Sequence, residues 1–536
     1  MSKKGTAVLQ DAEAGFFSPE RSQAVSAWME IAKYFSPSQY PLFASNGYLT
    51  TAQSAGVSQL YTNEGVLSAQ TLSSTIQNTV INEATEWIIP KYTLPELNLD
   101  GEANIFAERT GKLLLSSLSN SNFYTESAKL VRSFCTFGTG VIVFDELTNE
   151  NSDSFGGFNF RGLHLTQCAW YEGAEGLVDR VYIKESLSVE NILSRYGALS
   201  DDMAKVHKKN PTERFNIVTA QLPVGKGIFE LVTVAVATRT ILRSVELKEQ
   251  AVFVPRWSTM SGECIGYGCG HVGVPDVKVL NTMRFEHLQS KALVNRPPVL
   301  VEQDNILGEL SLQAGAMSYV NSVDGIRPVN LGINPQSMMG TEADYKDAVR
   351  RAFLLDKIAL PPRTEIGEMS AYEVAHRLSE MGNVVAGEIS RLYSEFLSLV
   401  GSRGIGILFR KGMLGEIPKA VQEYGSIDFN FMFVNPLARS RELEGVKSLQ
   451  SALQVLTAVQ NASPNSPELS NVMQVFNTER MPINVCRDLG VPDLYLSTEE
   501  EIRQAEQEQQ QENQLRKVAQ LQGLESQQGG GQPNGG

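Results

Sequence analysis

Several short constellations in this 536-residue sequence carry residue types that could do chemistry. Cys264, Cys269 and His271 fall in a Cys-x4-Cys-x-His arrangement. Structural zinc takes four ligands, usually as two close pairs, so the spacing is read as two half-buried cysteines in a turn. Gly268-Cys-Gly-His-Val-Gly273 matches G-x-G-x-x-G. A dinucleotide fingerprint needs a strand immediately before it and an acid about 20 residues on, at the end of a second strand. Here Glu302 follows only after Pro297-Pro298, and a glycine-rich hinge before a long helix is the simpler reading. Lys346, Arg350 and Lys357 are spaced to share a helix face and could meet phosphates, although isolated charged faces are commonly just solvated. Pro361-Pro-Arg-Thr-Glu365 lies in a connection of about ten residues between helices, longer than the usual 2–8, which favours a functional projection.

Most catalytic patterns are absent. There is no G-x-x-x-x-G-K-[ST], no H-E-x-x-H and no G-x-S-x-G, so P-loop, zincin and hydrolase-elbow chemistry have no support. The five histidines, at 164, 207, 271, 287 and 376, are well separated. No catalytic residue, metal or cofactor is expected. The five cysteines are scattered and odd in number, which fits a reducing compartment rather than a disulfide framework. No apolar run reaches the length of a membrane span, and the first residues lack the apolar core of a cleaved signal.

The elements that position these residues follow from periodicity. Glu20 to Phe35 carries Ala24, Trp28, Ile31 and Phe35 on one face, ended by Pro37 and Pro41. Ala69–Ile81 and Ala103–Phe134 continue the helical pattern around a Pro90–Pro95 break. Residues 137–260 turn β-rich, with candidate strands at Gly138–Phe144, from Gly162, at Val178–Ile183 and at Phe229–Val236. A short helix, Leu187–Tyr196, closes on Gly197. Residues 274–294 predict one helix entered at Val274-Pro-Asp276, with Val277, Leu280, Leu288 and Ala292 on a face that Arg284 interrupts. Residues 299–335 read as short strands and turns. Residues 341–358 predict a second helix, with Tyr345, Val349, Ala352 and Phe353 packed one way and an Asp347/Arg351 pair. Ser370-Ala-Tyr-Glu373 is a capping box. It opens a stripe of Val374, Leu378, Met381, Val385, Ile389, Leu392, Phe396 and Leu399. A strand at Phe429–Val434, a helix at Arg441–Val459 and a Gln- and Gly-rich tail complete the chain. The fold class is α+β, predominantly helical.

The formal charge is −14, from 60 acidic and 46 basic residues. That argues against a general nucleic-acid coat, which needs clustered cations, but not against a protein that lets DNA pass without holding it.

Several separated segments together resemble the portal, or head-to-tail connecting, protein of short-tailed, podovirus-type bacteriophages. Phe137-Gly-Thr-Gly-Val-Ile-Val-Phe144, Gly176-Leu-Val-Asp-Arg-Val-Tyr182 and Ile192-Leu-Ser-Arg-Tyr-Gly197 resemble its wing sheet. Trp257–Gly270 followed by Val274-Pro-Asp-Val-Lys-Val-Leu-Asn281 is similar to the entry of its first stem helix, with Cys269 where the family usually has a basic residue. Ser370-Ala-Tyr-Glu-Val374, Pro436-Leu-Ala-Arg439 and Val491-Pro running into Glu499-Glu-Glu501 complete the pattern.

The resemblance implies a dodecameric ring at one capsid vertex, a virion component assembled in the host bacterial cytoplasm. It implies a wing at 1–272 and 370–435, stem helices at 273–294 and 340–358, and a clip at 295–339. A tunnel loop at 359–369, a crown at 436–500 and a largely disordered tail at 501–536 follow. Double-stranded DNA would pass Pro361, Pro362, Arg363, Thr364 and Glu365, with Lys346, Arg350 and Lys357. The clip, with Val299, Glu302, Asp304 and Arg327, would meet terminase and then the tail adaptor. Major capsid, scaffolding and internal core proteins are the other implied partners; no membrane is. Two further readings stay open on the residues alone: another oligomeric virion or scaffold component, and a nucleotide-binding enzyme using the 268–273 glycine turn.

Overall fold

The computed structural model describes residues 3–44, 60–98, 100–148, 155–225, 227–295, 299–301, 326–328, 335–358, 385–423 and 429–433. The chain divides into two compact units, one of residues 1–85 with 117–411 and one of 86–116 with 412–536. The elements are mixed α and β, as expected.

The first unit opens with α1 (Lys3–Phe16) and α2 (Pro19–Phe35). Ser18 caps α2, its hydroxyl accepting from the Arg21 N–H, and Pro19 takes the first helical position, where its missing N–H costs nothing. Trp28, Ile31 and Phe35 are buried as the periodicity demands. A short α3 (Tyr40–Ala44) and the long α4 (Glu64–Val80) follow.

In the second unit, β1 (Ile88–Tyr92) pairs antiparallel with β12 (Phe429–Phe433), beside α5 (Gly101–Ser119). Pro90 sits within β1, which the sequence reads as a break. A two-stranded sheet has only edges, where proline is tolerated. Asn98 holds the strand end, accepting from the Tyr92 N–H and donating to the Tyr92 carbonyl. The helix expected from Ala103 to Phe134 is two helices, α5 and α6 (Phe123–Phe137). Ser121 and Asn122 break it. The Asn122 side chain bonds the Phe160 N–H and carbonyl, and the Ser121 hydroxyl takes the Phe123 N–H. Such side chains compete with the backbone ladder and favour turns.

Back in the first unit, β2 (Val141–Thr148) pairs with β3 (Phe155–Leu163) and β9 (Val252–Phe253). An aromatic core fills one side of this sheet. Phe144 stacks on Phe160 at 4.3 Å, and Phe123 and Phe396 lie beside them. The larger sheet is an antiparallel meander of β4 (Cys168–Glu172), β5 (Val178–Ser188), β6 (Arg214–Gly225), β7 (Ile228–Ala235) and β8 (Thr240–Leu247). Helix α1 lays Val8, Leu9 and Ala12 on Ala169, Tyr182, Val218, Ala220, Val232 and Val234. The other core of this sheet packs Val189 and Ile192 of α7 (Val189–Tyr196) and Met203 of α8 (Asp201–His207) on Ile217, Ala235 and Leu242. Strands β4, β6 and β8 were not legible in the sequence.

The long α9 (Cys269–Asn295) starts five residues before the expected entry, so Pro275 is inside it. The reason is close backbone packing. A Cβ on Gly270 would lie 2.3 Å from the Thr136 carbonyl oxygen and 2.6 Å from Ile31 Cγ2. The hinge expected at 268–273 is therefore the first turn of a packed helix.

Strands β10 (Val299–Val301) and β11 (Ile326–Pro328) pair antiparallel, then come α10 (Pro335–Ala352) and α11 (Leu355–Ile358). The capping box at 370–373 and the stripe from Val374 to Met381 lie outside the described residues. Beyond them, Ala386–Leu392 and Ser398–Arg410 are α-helical around a π turn at Tyr393–Leu397. The π turn inserts a residue, so the buried stripe shifts from the expected Leu399 to Leu397 and Val400. It aims Glu395 at Arg256, whose Nη2 donates to Glu395 Oε1 at 2.8 Å while Nη1 donates to Glu172 Oε2 at 2.6 Å. The helix at Arg441–Val459 and the tail lie outside the described residues.

Overpacking a closed core site costs about 1–3 kcal/mol. Gly270→Ala is expected to destabilise by that order. Gly387→Ala, on a helical glycine with nothing among the described residues within 4 Å of its added methyl, should be neutral or stabilising by up to ~1 kcal/mol. Chemical denaturation of the two variants checks the contrast.

Candidate functional site

Helices α9 and α10 pack along one another and are joined through the segment that contains the β10–β11 ladder. At ~1.5 Å rise per residue, α9 is ~40 Å long. Val299 stands opposite Pro328 and Arg327 opposite Leu300 in the ladder. Glu302 and Asp304 lie outside the described residues. Gly273 lets the helices and α2 close up, with Phe35 and Phe353 in contact at 5.0 Å beside it.

One carboxylate organises the charges of this pair. Glu342 on α10 is buried, and three groups converge on it. Arg284 Nη1 donates to Oε1 at 2.5 Å, Lys346 Nζ lies 3.2 Å from the same oxygen, and His287 Nδ1 lies 3.3 Å from Oε2. Burial pushes the Glu342 carboxyl up. Hydrogen bonds from Lys346 and His287 and the charges of Arg284 and Lys346 outweigh that and hold it below the usual carboxylate range. The other His287 nitrogen is buried and has no hydrogen-bond partner among the described residues. Arg284, which interrupts the apolar stripe in sequence, is thus an ion pair with the facing helix. The stripe itself runs through Gly273, Val274, Val277, Leu280 and His287. Leu288 and Ala292, expected on it, are exposed, because Arg284 and His287 fix the rotation of the helix toward Glu342.

The three expected phosphate-facing cations are in different states. Lys346 is paired with Glu342. Arg350 Nε donates to Glu64 Oε1 on α4 at 2.6 Å. Lys357 is exposed and makes no ion pair among the described residues. It also does not share a continuous helix with the other two. Leu354 adopts φ 56°, left-handed backbone unusual for leucine, and ends α10 before α11. The expected 341–358 helix is therefore Pro335–Ala352 plus a short turn. Arg351 donates to the Asp347 carbonyl at 3.3 Å rather than to its carboxylate, which lies 3.9 Å from Arg350. Pro361, Pro362, Arg363, Thr364 and Glu365 lie outside the described residues.

The glycine turn is occupied by the protein itself. Gly138 ends α6 with φ 81°, and a Cβ there would lie 2.3 Å from the Gly268 nitrogen. One on Gly268 would lie 2.7 Å from the Cys135 carbonyl oxygen. The Gly268 N–H donates to His271 Nδ1 at 3.2 Å. The space a phosphate needs at a dinucleotide loop is filled by the end of α6. Cys269 is buried, and desolvation pushes its thiol up to about 12; burial pushes His271 down. Cys264 lies apart on the 264–265 loop, where its carbonyl accepts from Trp170 Nε1 at 3.0 Å.

The residues missed in the sequence are Glu342 and His287. Their signal was present: a cation inside an apolar helical stripe asks for an acid on whatever packs against it.

Removing the Glu342 charge leaves Arg284 and Lys346 able to turn to water, so Glu342→Gln should cost about 1–3 kcal/mol. Because the folded value is depressed, the stabilisation is complete above the unfolded carboxyl pKa of about 4.3 and is lost as pH falls through the lower folded value. The variant should lose that part of the acid sensitivity, read by thermal melts across an acid series.

Solved structures were compared with the chain. A chain in the virion of a native gene transfer agent particle is 12% identical, with 90% of this chain and 99% of that chain covered and a TM-score of 0.38. A chain in the neck of an empty gene transfer agent particle, computed with C6 symmetry, is 12% identical over 68% and 89%, with a TM-score of 0.34. No curated protein sequence matches. Residues 12–496 match the family described as bacteriophage head to tail connecting protein, so the chain belongs to the head-to-tail connector family.

Proposed function

We propose that the chain is the subunit of a ring at one capsid vertex, through which double-stranded DNA is packaged and ejected, and which docks terminase and then the tail adaptor. The observation that carries this reading beyond family membership is the unpaired side of α9. Val272, Val279 and Leu293 follow a seven-residue spacing opposite Val277 and Leu280, and are 66%, 39% and 41% exposed. An apolar row on a long helix already packed on one side fits burial against copies of the same helix in a twelve-membered ring.

In this ring residues 273–294 and 340–358, the greater part of α9 and α10 with α11, form the stem, 295–339 the clip, 359–369 the tunnel loop, 1–272 with 370–435 the wing, and 436–500 the crown. The clip residues Val299, Glu302, Asp304 and Arg327 face terminase and the tail adaptor. Lys346, Arg350 and Lys357 approach the channel. The first two are neutralised within the chain, which leaves Lys357 as the one of the three without an ion pair among the described residues, and we assign the tunnel-loop Arg363 as the second cation to touch phosphate. A chain of charge −14 with few free cations at the bore repels DNA enough to let it slide. Major capsid, scaffolding and internal core proteins contact the outer parts.

Native mass spectrometry of the full chain should give a twelvefold mass. Deleting Pro361–Glu365 should leave the twelvefold stoichiometry unchanged and reduce packaged or retained DNA; loss of the ring would overturn the tunnel-loop assignment. Lys357→Glu should alter DNA passage without lowering the melting temperature. Arg350→Glu should lower it slightly by opposing Glu64, by up to about 1 kcal/mol because the Arg350 side chain is half exposed. Unchanged packaging in Lys357→Glu would move that residue off the channel.

A further inference from the structure

A pocket of about 320 Å³ opens between the α1–α2 turn, the end of β4 and the 264–265 loop. Its walls are mainly aromatic, with Glu20 at the α2 side, which forms no ion pair with Arg21 among the described residues. Trp170 and Tyr171 come from β4, and Trp28 lies 6.1 Å from Trp170, ring to ring. The Trp170 indole N–H donates to the Cys264 carbonyl, which ties the 264–265 lip to the wall. Cys264 and Ile265 form that lip and are half-buried.

Arg21 also lines the pocket and is 8% exposed. Its guanidinium is held by carbonyls. Nε donates to Cys168 O at 3.0 Å, Nη1 to Phe16 O at 3.1 Å, and Nη2 to Leu165 O and Thr166 O at 3.3 and 2.8 Å. The Phe16 ring lies 4.7 Å from its central carbon. Four of the five N–H donors are thereby used, which leaves one on Nη1. No carboxylate among the described residues forms an ion pair with this side chain, unlike the buried Arg256, which has two. A buried cation without an anion is expensive, and burial lowers its pKa accordingly. Phe17, in the same turn, is 76% exposed, so apolar surface continues outside the pocket.

We propose that this pocket is a docking site for a segment of a partner protein that presents an aromatic or aliphatic side chain beside a carboxylate. The apolar side chain enters between Trp170, Tyr171 and Ile265, and the carboxylate supplies the anion that Arg21 lacks, on its remaining Nη1 donor. The volume suits one large side chain with its neighbouring carboxylate. The exposed Phe17 gives the segment a surface to cross, which favours a polypeptide over a free small acid. The inference is independent of the ring proposal: the pocket is built by one chain and does not involve α9 or α10.

Cys264 supplies the readout, since Cys135, Cys168 and Cys269, the other cysteines among the described residues, are buried and its own peptide separates it from Cys486. The rate of its alkylation by iodoacetamide in the full-length protein is followed by peptide mass spectrometry. The blocked peptide acetyl-Gly-Phe-Asp-Gly-amide should slow it roughly tenfold at about ten times its Kd, by mass action. The Phe-Asn peptide should protect far less. Ile265→Asp, which sets a second carboxylate on the lip, should abolish protection with an unchanged melting temperature. The wild-type comparison of the two peptides needs no variant. Equal protection by the Asn peptide, no protection by either, or full protection in folded Ile265→Asp would overturn the site. 3-Phenylpropionate protecting as well as the Asp peptide would overturn the choice of a polypeptide. A Cys264 rate that falls with the protein's own concentration, without peptide, would make a second copy the occupant and overturn a foreign partner.

Discussion

Backbone meets backbone without intervening side chains where the end of α6 touches the start of α9, and the first unit is arranged around that contact. Gly138, Gly268 and Gly270 stand where any Cβ would collide with main-chain atoms. The same contact is stitched by hydrogen bonds. The Trp257 N–H donates to the Gly138 carbonyl at 2.8 Å and the Gly140 N–H to the Pro255 carbonyl at 3.1 Å. It fixes where α9 begins, and α9 in turn sets the place of α10 and of the charges along both. Glycine is the residue type that permits this approach, and its entropic cost is offset by the burial of Trp28, Ile31, Phe134 and Phe137 close by.

Buried charge is handled in two ways in this chain. Arg256 and Glu342 are matched with opposite charges, and each joins elements distant in sequence: Arg256 with Glu395 and Glu172, Glu342 with Arg284. Arg21 and Arg403 are instead solvated by carbonyls. Arg403 donates to Phe144 O and Glu249 O, and burial lowers its pKa to about 10. A matched pair resists acid only while its carboxylate stays ionised. A carbonyl-bound cation is indifferent to acid but keeps an unbalanced charge. The Glu342 pair braces α9 against α10, and the Arg256 pairs tie the π turn at Tyr393–Leu397 to β4.

The helices were the legible part. Ser18, Pro19 and the Trp28/Ile31/Phe35 spacing specify α2 locally, and Ser188 with Gly197 bracket α7 in the same way. Strands β6 and β8 were not, because their side chains answer to two different covering layers, α1 and α7–α8, and lose simple alternation; β4 is five residues long and buries Cys168, Ala169 and Trp170 in a row, with no alternation to read. Among the candidate site residues, the basic types were visible, but their partners were not. Nothing in the spacing of Arg350 reveals Glu64, 286 positions away, and nothing in Arg284 names Glu342. Leu354 in left-handed backbone and the π turn at Tyr393–Leu397 were hidden for a related reason: both break a periodicity that the residues themselves satisfy.

By itself the sequence determined the helical class of α2, α4, α7, α9 and α10, the absence of the common catalytic motifs and the order of segments that resembles a connector. Those are properties of neighbouring residues, of composition and of pattern, and they survive without coordinates. Tertiary structure decided that the 268–273 glycines serve backbone packing rather than phosphate. It also decided that two of the three cations on the helical hairpin are already paired, and that Arg21 lacks an anion beside an aromatic pocket. Each of these depends on which atoms occupy the few ångströms around a group, and residues far apart in the chain supply them.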